Sequence, residues 1–467
     1  MNELGERSTV AIIGGGFSGA AVAYHLAAHK NFARIVIFEP RPLLGAGLAY
    51  GSEDPQHRTN VPAAKMSLLP DKETHFLDWI DRTNALANDP DSFAEDGFSY
   101  PRRSIFGRYV HDQIAPFLAS GAIEHIQSRV RSIQRSNNGW VIRAEHGSVQ
   151  ADFAVIATTH PEPRVPDALS GVLSDDPRII TDATTTGALG DLRPDDKILI
   201  VGTGLTMADI VASLDARGHY GKITAISRHG LRSKGHAPLP LVPYGNFTDP
   251  LPQSAIDLLR RTRRTIADAE ANGLSWHAVI DAVRAQAKSF WPALSLAERR
   301  RIALRLRPYW DVHRFRIAPQ LESIIRRRVE AGALQFMAAA IENLSSRDGR
   351  LDVLLRLSRS DRRLARVVDS VILATGPDHG RVLASQQFLT ELKAQGYVRP
   401  DPLHLGIDCD RQGRALDSDG KAVDRLWIAG PLARASVGEL MGLPQVTEFA
   451  ATVAGSIREG AEEFALH

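Results

Sequence analysis

Three glycines and one acid set the first chemistry this chain can do. Gly14, Gly16 and Gly19 stand in the spacing G-x-G-x-x-G, and Glu39 follows at the distance of a ribose-binding acid. Gly14 permits a tight turn out of a strand. Gly16 has no side chain to hold a pyrophosphate away from the backbone. Gly19 lets the next helix lie close to the strand. Phe17 and Ser18 fall at the start of that helix, where free N–H groups and the positive end of the helix dipole meet phosphate. Glu39 can accept hydrogen bonds from ribose hydroxyls and repels a 2′-phosphate, so this site suits FAD or NAD rather than NADP.

A second set repeats the pattern with different ends. Gly202-Thr203-Gly204-Leu205 follows the apolar run Ile198–Val201, but Met207 or Ala208 replaces the third glycine. The next strand ends on Ser227-Arg228 instead of an acid. A hydroxyl beside a guanidinium suits a 2′-phosphate, which points to NADP(H) in preference to NAD(H).

Other candidates are less specific. Gly45 to Gly51 is glycine-dense, and Asn60-Val61-Pro62-Ala63 with Met66-Ser67 continues an irregular stretch, placed here over the cofactor. Arg102 and Arg103 precede a helix and could contact phosphate, or be solvated. Tyr309 to Arg316 mixes aromatic and cationic groups. Arg314 and Arg316 could face an anionic substrate, or the stretch could be a helix packed by Trp310 and Phe315. His229, His236 and His313 lack metal-ligand spacing, so no metal is expected. Cys409 is the single cysteine, which rules out an internal disulfide and a C-x-x-C redox pair. No nucleophile–base arrangement is visible, and no catalytic side chain is assigned.

The elements that must hold these residues are alternating strands and helices. Thr9–Ile13 and Arg34–Phe38 read as buried parallel strands around a small-residue helix from Ala20 to His29. Strands follow near 129–133, 140–143 and 152–157, with Asn137-Asn138-Gly139 as a turn. Residues 84–99 look like a polar surface excursion, and 160–186 like a linker. The pattern is α/β, with two Rossmann-like dinucleotide-binding domains. The first takes 1–190, the second 191–375 with a helical insert at about 254–328, and 376–467 returns to the first.

Bulk composition narrows the function. The net charge of +2 gives no support to nucleic-acid binding. Arginines at 260–264, 299–301 and 326–328 sit among acids and read as solvated helix faces. No run approaches the roughly 18 apolar residues of a membrane span. Met1 to Ser8 is polar and leads directly into a strand, so neither a signal peptide nor a membrane is expected and the simplest compartment is the cytoplasm.

Taken with Ala374-Thr375-Gly376 and Asp424 to Gly430, the two motifs resemble the two-dinucleotide-binding-domain flavoproteins. That resemblance implies FAD in the first site and NAD(P)H in the second. Thr375 and Gly376 would then mark a crossover between domains, while Gly430 and Pro431 close over the flavin. Val130 completes the candidate cofactor contacts. More narrowly, Gly47 to Tyr50 with Asn60 to Ala63 and Met66-Ser67 is similar to a bacterial family described as FAD/NAD(P)-binding proteins. Its characterised relatives include N-hydroxylating and Baeyer–Villiger monooxygenases. The resemblance implies an oxidoreductase that spends NAD(P)H and O2 on hydroxylating a small polar or anionic substrate. A reductase without oxygen insertion, and a flavin-binding sensor without turnover, stay open. Two departures bear on the substrate: Ala157-Thr158-Thr159 stands where many relatives have Ala-Thr-Gly, and the helical insert differs from their substrate elements.

Overall fold

The computed structural model describes residues 8–29, 32–169, 176–360 and 362–465. Thr9–Ile13 lies at the middle of a six-stranded sheet. Its neighbours are Arg34–Phe38 on one side and Phe153–Ile156 on the other, both parallel. Ile12 pairs with Ile37 and with Val155, so the apolar run meets apolar runs on both edges. Ile123–Ile126 closes one side. Ala422–Ile428 and the antiparallel Arg414–Leu416 close the other. The last two strands come from the end of the chain, so this unit is built from both termini of the sequence.

Two helices cover the sheet centre. Phe17–Ala28 is alanine-rich, and its buried face of Ala20, Ala21, Ala23 and Ala27 lets it lie between the sheet and the long helix Gln445–Ala465. A separate meander of three antiparallel strands, Val130–Ser136, Gly139–Ala144 and Ser148–Ala151, turns where Gly139 was expected to turn it.

The second sheet has seven strands. Ile198–Val201 pairs in parallel with Ile223–Ser227 and Ser370–Leu373, and Leu334–Arg347 opens an antiparallel meander at the far edge. The chain crosses between sheets twice, and the crossings touch. The Arg164 N–H donates to the Gly376 carbonyl at 3.0 Å, and the Thr375 hydroxyl donates to the Arg164 carbonyl at 2.6 Å. The 160–186 stretch is therefore partly ordered by its return partner and by the short strand Ile179–Ile180; residues 170–175 lie outside the described residues.

Two sequence expectations change. Helix Pro319–Glu330 buries Leu321 and Ile325 with Met207, Ile210 and Val211. It is the second sheet's own crossover helix, so the insert proper comprises the helices Ala255–Ala271, Trp276–Phe290 and the bent run Leu296–Arg314. Residues 84–99 are not only a surface excursion. Asp89 is buried and makes a two-pronged ion pair with buried Arg58, at 2.9 and 3.1 Å. Its polar sequence hid a charge whose partner stands on a different loop. Among the described residues no helix is long and apolar enough to cross a membrane.

Candidate functional site

The first glycine loop forms a cradle. Gly14 has φ +105°, and a Cβ there would stand 2.5 Å from the Ala157 carbonyl oxygen. A Cβ on Gly19 would stand 1.9 Å from the Gly14 oxygen, so the helix approaches the strand as the third glycine predicts. The helix begins after Gly16 with no side-chain cap and no acid in its first turn, leaving its first N–H groups free for an anion. Two segments wall this loop. Gly47 brings its Cα to 3.6 Å from the position a Gly16 Cβ would take. Gly430, at φ +72°, leaves only 2.2 Å between its own Cβ position and the Ser18 hydroxyl. Pro431 follows in the same short turn.

Glu39 is buried at the tip of the second strand. Its carboxylate accepts from the Gly15 N–H at 3.0 Å, from the Arg41 N–H at 3.1 Å and from the Arg41 guanidinium at 3.2 Å. A carboxylate oxygen has lone pairs beyond these. Thr158, next to Gly14, holds a buried hydroxyl with no protein partner. An uncapped helix end, an acid at the strand tip and an orphaned hydroxyl make a site that fits a dinucleotide.

The second loop shares the turn but not the cover. Gly202 has φ +126°, and a Cβ there would meet the Ala374 oxygen at 2.0 Å. Helix Leu205–Ala216 starts after Gly204, again with no side-chain cap and no acid in its first turn. Nothing lies within 4 Å of a Cβ on Gly204. Met207, in the third-glycine position, is fully buried in the second core. Ser227 is half-buried, and Arg228 is exposed with no ion pair among the described residues.

Several predicted cofactor contacts have other partners. The Arg103 guanidinium pairs with Asp209 of the second domain at 2.8 Å and donates from Nε to the Arg58 carbonyl at 2.9 Å. It joins the domains instead of waiting for phosphate. Nearby, the Ser213 hydroxyl donates to Asp54 at 2.7 Å across the same interface. Met66 is core. Ser67 is buried, accepts from the Leu69 N–H at 3.0 Å, and its carbonyl accepts from Thr447 at 2.7 Å. The Thr447 bond ties the irregular stretch to the last helix. Val130 is buried at the start of the meander. Thr375 and Gly376 hold the crossover already described.

A cleft of about 70 Å³ opens between the domains. Its walls are Asn60 to Lys65, Tyr100, the loop His236 to Leu241, and the insert helices. The Asn60 carbonyl accepts from His236 Nε2 at 3.1 Å. Burial pushes His236 down to about 4 and also lowers His277, so both rings are neutral near pH 7. Arg314, expected at an anionic ligand, lines this cleft and donates from Nε to Glu439 at 2.6 Å. Arg316 lines it too, but Asp281 takes its guanidinium at 2.8 and 3.1 Å. Trp310 donates to Glu439 at 2.6 Å and packs on the insert's own core around Val279 and Phe290 rather than on a sheet.

Arg284, Asp281, His277 and Glu439 were missed. In the sequence Arg284 follows Val279, Ile280 and Val283 and looks like the polar side of an amphipathic helix. Only its contacts with Leu443 and Gln445, far along the chain, mark it as part of a site. A second buried group stands on the crossover side. His160 and His379 stack edge to face at 4.9 Å, and each keeps an unpartnered Nδ1. Burial, and secondarily Arg434, lower them to about 4 and about 2.

Fold and loops together define a class: two Rossmann-like units in one chain, with a covered dinucleotide cradle in one and an open cradle in the other. Residues 11–161 match the model of a family described as FAD-NAD(P)-binding. Solved structures sharing the fold over nearly the whole chain include flavin monooxygenases. The reduced form of ornithine hydroxylase from Pseudomonas aeruginosa is 17% identical, with a TM-score of 0.64 over 97% of this chain and 99% of that one. L-lysine 6-monooxygenase from Pseudomonas syringae is 19% identical, with a TM-score of 0.64 over 99% and 100%. The FAD-bound cadaverine monooxygenase from Erwinia amylovora is 13% identical, with a TM-score of 0.62 over 97% and 94%. At these identities the likeness establishes the fold. No curated protein sequence matches the chain.

Proposed function

We propose that this protein is an FAD-dependent oxidoreductase that takes hydride from NADPH and serves as a monooxygenase for a small polar or anionic substrate. The observation that carries the reading is the pairing of two uncapped, glycine-cradled helix ends on two sheets. When bound, the flavin supplies the chemistry: it accepts hydride from the nicotinamide and hands electrons to oxygen.

The chain's own residues do the binding and shielding. Gly14 to Gly19 and Glu39 hold the FAD diphosphate and ribose, with Thr158 offering its free hydroxyl. Gly47 and Gly430 keep solvent from the first cradle. Gly202, Gly204 and Leu205 hold the second dinucleotide, and Arg228 meets its 2′-phosphate. Arg103 and Asp209 keep the two cradles in register. The Pro-rich loop at 236–241 and the insert helices wall the cleft in which the substrate would sit. The neighbours named as ornithine, lysine and cadaverine hydroxylases make oxygen insertion the first reaction to test.

The test is to reduce the purified protein anaerobically with NADPH and then mix it with oxygenated buffer in a stopped-flow cell. A transient absorbance preceding the return of oxidised flavin is expected. Direct return to oxidised flavin, with all electrons recovered as peroxide across an amine, heterocycle and ketone screen, would leave a reductase.

A further inference from the structure

Two arginines that line the cleft keep buried donor atoms with no protein partner. Arg314 is buried, its side chain 2% exposed. Its Nε is spent on Glu439, and its Nη2 is buried with no partner. Arg284 donates to the Leu443 carbonyl at 2.7 Å and to Gln445 at 2.5 Å, both neutral, and its Nε has no partner either. Arg316, the third cation, is satisfied by Asp281. Asp96 accepts from the Tyr100 hydroxyl, Asp281 pairs with Arg316 and Glu439 with Arg314, and the donors left without a partner belong to Arg284 and Arg314. A buried arginine without a carboxylate is costly, because its charge is out of water and uncompensated. Burial, and secondarily the nearby Arg314, pull Arg284 down to about 9 against the opposing pull of Glu439 and Asp281.

Both arginines line the cleft. Gly442 packs against Arg314, whose Nη2 is 3.6 Å from the position of a Gly442 Cβ. The lining also carries Val61, Phe98, Leu239 and Leu241, beside Lys65 and Asp96. Leu239 is 67% exposed.

We infer that Arg284 and Arg314 together bind the carboxylate of the substrate, and that the substrate's remainder is a largely apolar body lying along Leu239 and Phe98. This rests on the oxidoreductase reading above and narrows it. A molecule that presents only cations or a neutral amide to this end of the cleft leaves the arginines unmatched and binds weakly. A carboxylate supplies two oxygens for two donors, in charge-assisted bonds that are stronger than neutral ones.

The experiment uses the flavin-loaded protein and two matched pairs: hexanoate against hexanamide, and benzoate against benzamide. Binding is read from perturbation of the flavin absorbance and from the rise in melting temperature. The carboxylates are expected to bind and the amides to bind at least about tenfold more weakly. Arg284→Gln and Arg314→Gln are each expected to weaken the carboxylates by about tenfold or more, with little change for the amides. Equal binding of acid and amide, absence of carboxylate binding to the unaltered protein, or unchanged carboxylate affinity in both variants would overturn the inference. If the glutamine variants lose flavin and the Arg284→Lys and Arg314→Lys variants recover it without recovering carboxylate binding, the arginines serve the cofactor and the inference also fails. Reduction of the flavin by NADPH without any carboxylate tests the underlying reading separately, since it does not depend on this site.

Discussion

The two glycine loops are built alike and finished differently. Each turns on a glycine that no other residue could replace, with φ +105° at Gly14 and +126° at Gly202, and each feeds an uncapped helix. The first is then roofed by Gly47, pinned by Gly430 and ended by a buried Glu39. The second is left open at Gly204 and ends on an exposed Arg228. On the function proposed above, the enclosed cradle would keep its dinucleotide and the open one would exchange it.

The largest expected effect breaks the enclosed side. Gly14→Val combines a clash at 2.5 Å with a backbone conformation that valine avoids. It is expected to give protein without bound flavin after gel filtration. Gly204→Ala adds a methyl group to open space and is expected to fold and keep its flavin, raising only KM for NADPH. If the two variants lose flavin equally, the contrast between the loops has no functional content.

A smaller change sharpens the other end. Arg228→Ala is expected to raise KM for NADPH about tenfold, about 1.4 kcal/mol, and to leave NADH nearly unchanged. Steady-state rates with both nucleotides check this. A parallel loss for NADH would assign Arg228 to general phosphate attraction.

The interface between the loops comes next. Arg103→Ala strips Asp209 of its cation at a site where both side chains are mostly buried. It is expected to cost about 1–3 kcal/mol in urea unfolding and to slow flavin reduction. Unchanged reduction would mean that the domains hold their register without this pair.

The smallest effect is a pH trend. Burial depresses His160, His236 and His379 below the ordinary histidine value, so the unfolded chain binds protons that the folded chain refuses. Stability is therefore complete above about pH 6.5 and is lost as pH falls toward about 4. His379→Asn is expected to flatten part of that fall in urea midpoints. An identical slope would remove His379 from the trend.

Legibility in the sequence followed the same division. Both loops could be read because a strand, a glycine turn and a helix are consecutive, and their spacing is local. The sheets assembled as those motifs required. What escaped was made by distant contacts. Arg284 reads as the wet side of a helix until Leu443 and Gln445 are brought beside it. Asp89 reads as surface until Arg58 meets it. Arg314 and Arg316 looked interchangeable, and only the position of Asp281 separates the satisfied arginine from the unsatisfied one. Helical periodicity carried the insert too far, because Pro319–Glu330 has the same period as its predecessors and differs only in packing on the second sheet.

The central claim is that hydride passes from a nicotinamide in the open cradle to a flavin kept in the enclosed one. The most direct measurement is anaerobic mixing of gel-filtered protein with NADPH while following flavin absorbance. The account predicts protein that is still yellow after filtration and bleaches saturably with NADPH, and less readily with NADH. Colourless protein that cannot be reloaded with FAD, or yellow protein that neither nucleotide reduces, would contradict it.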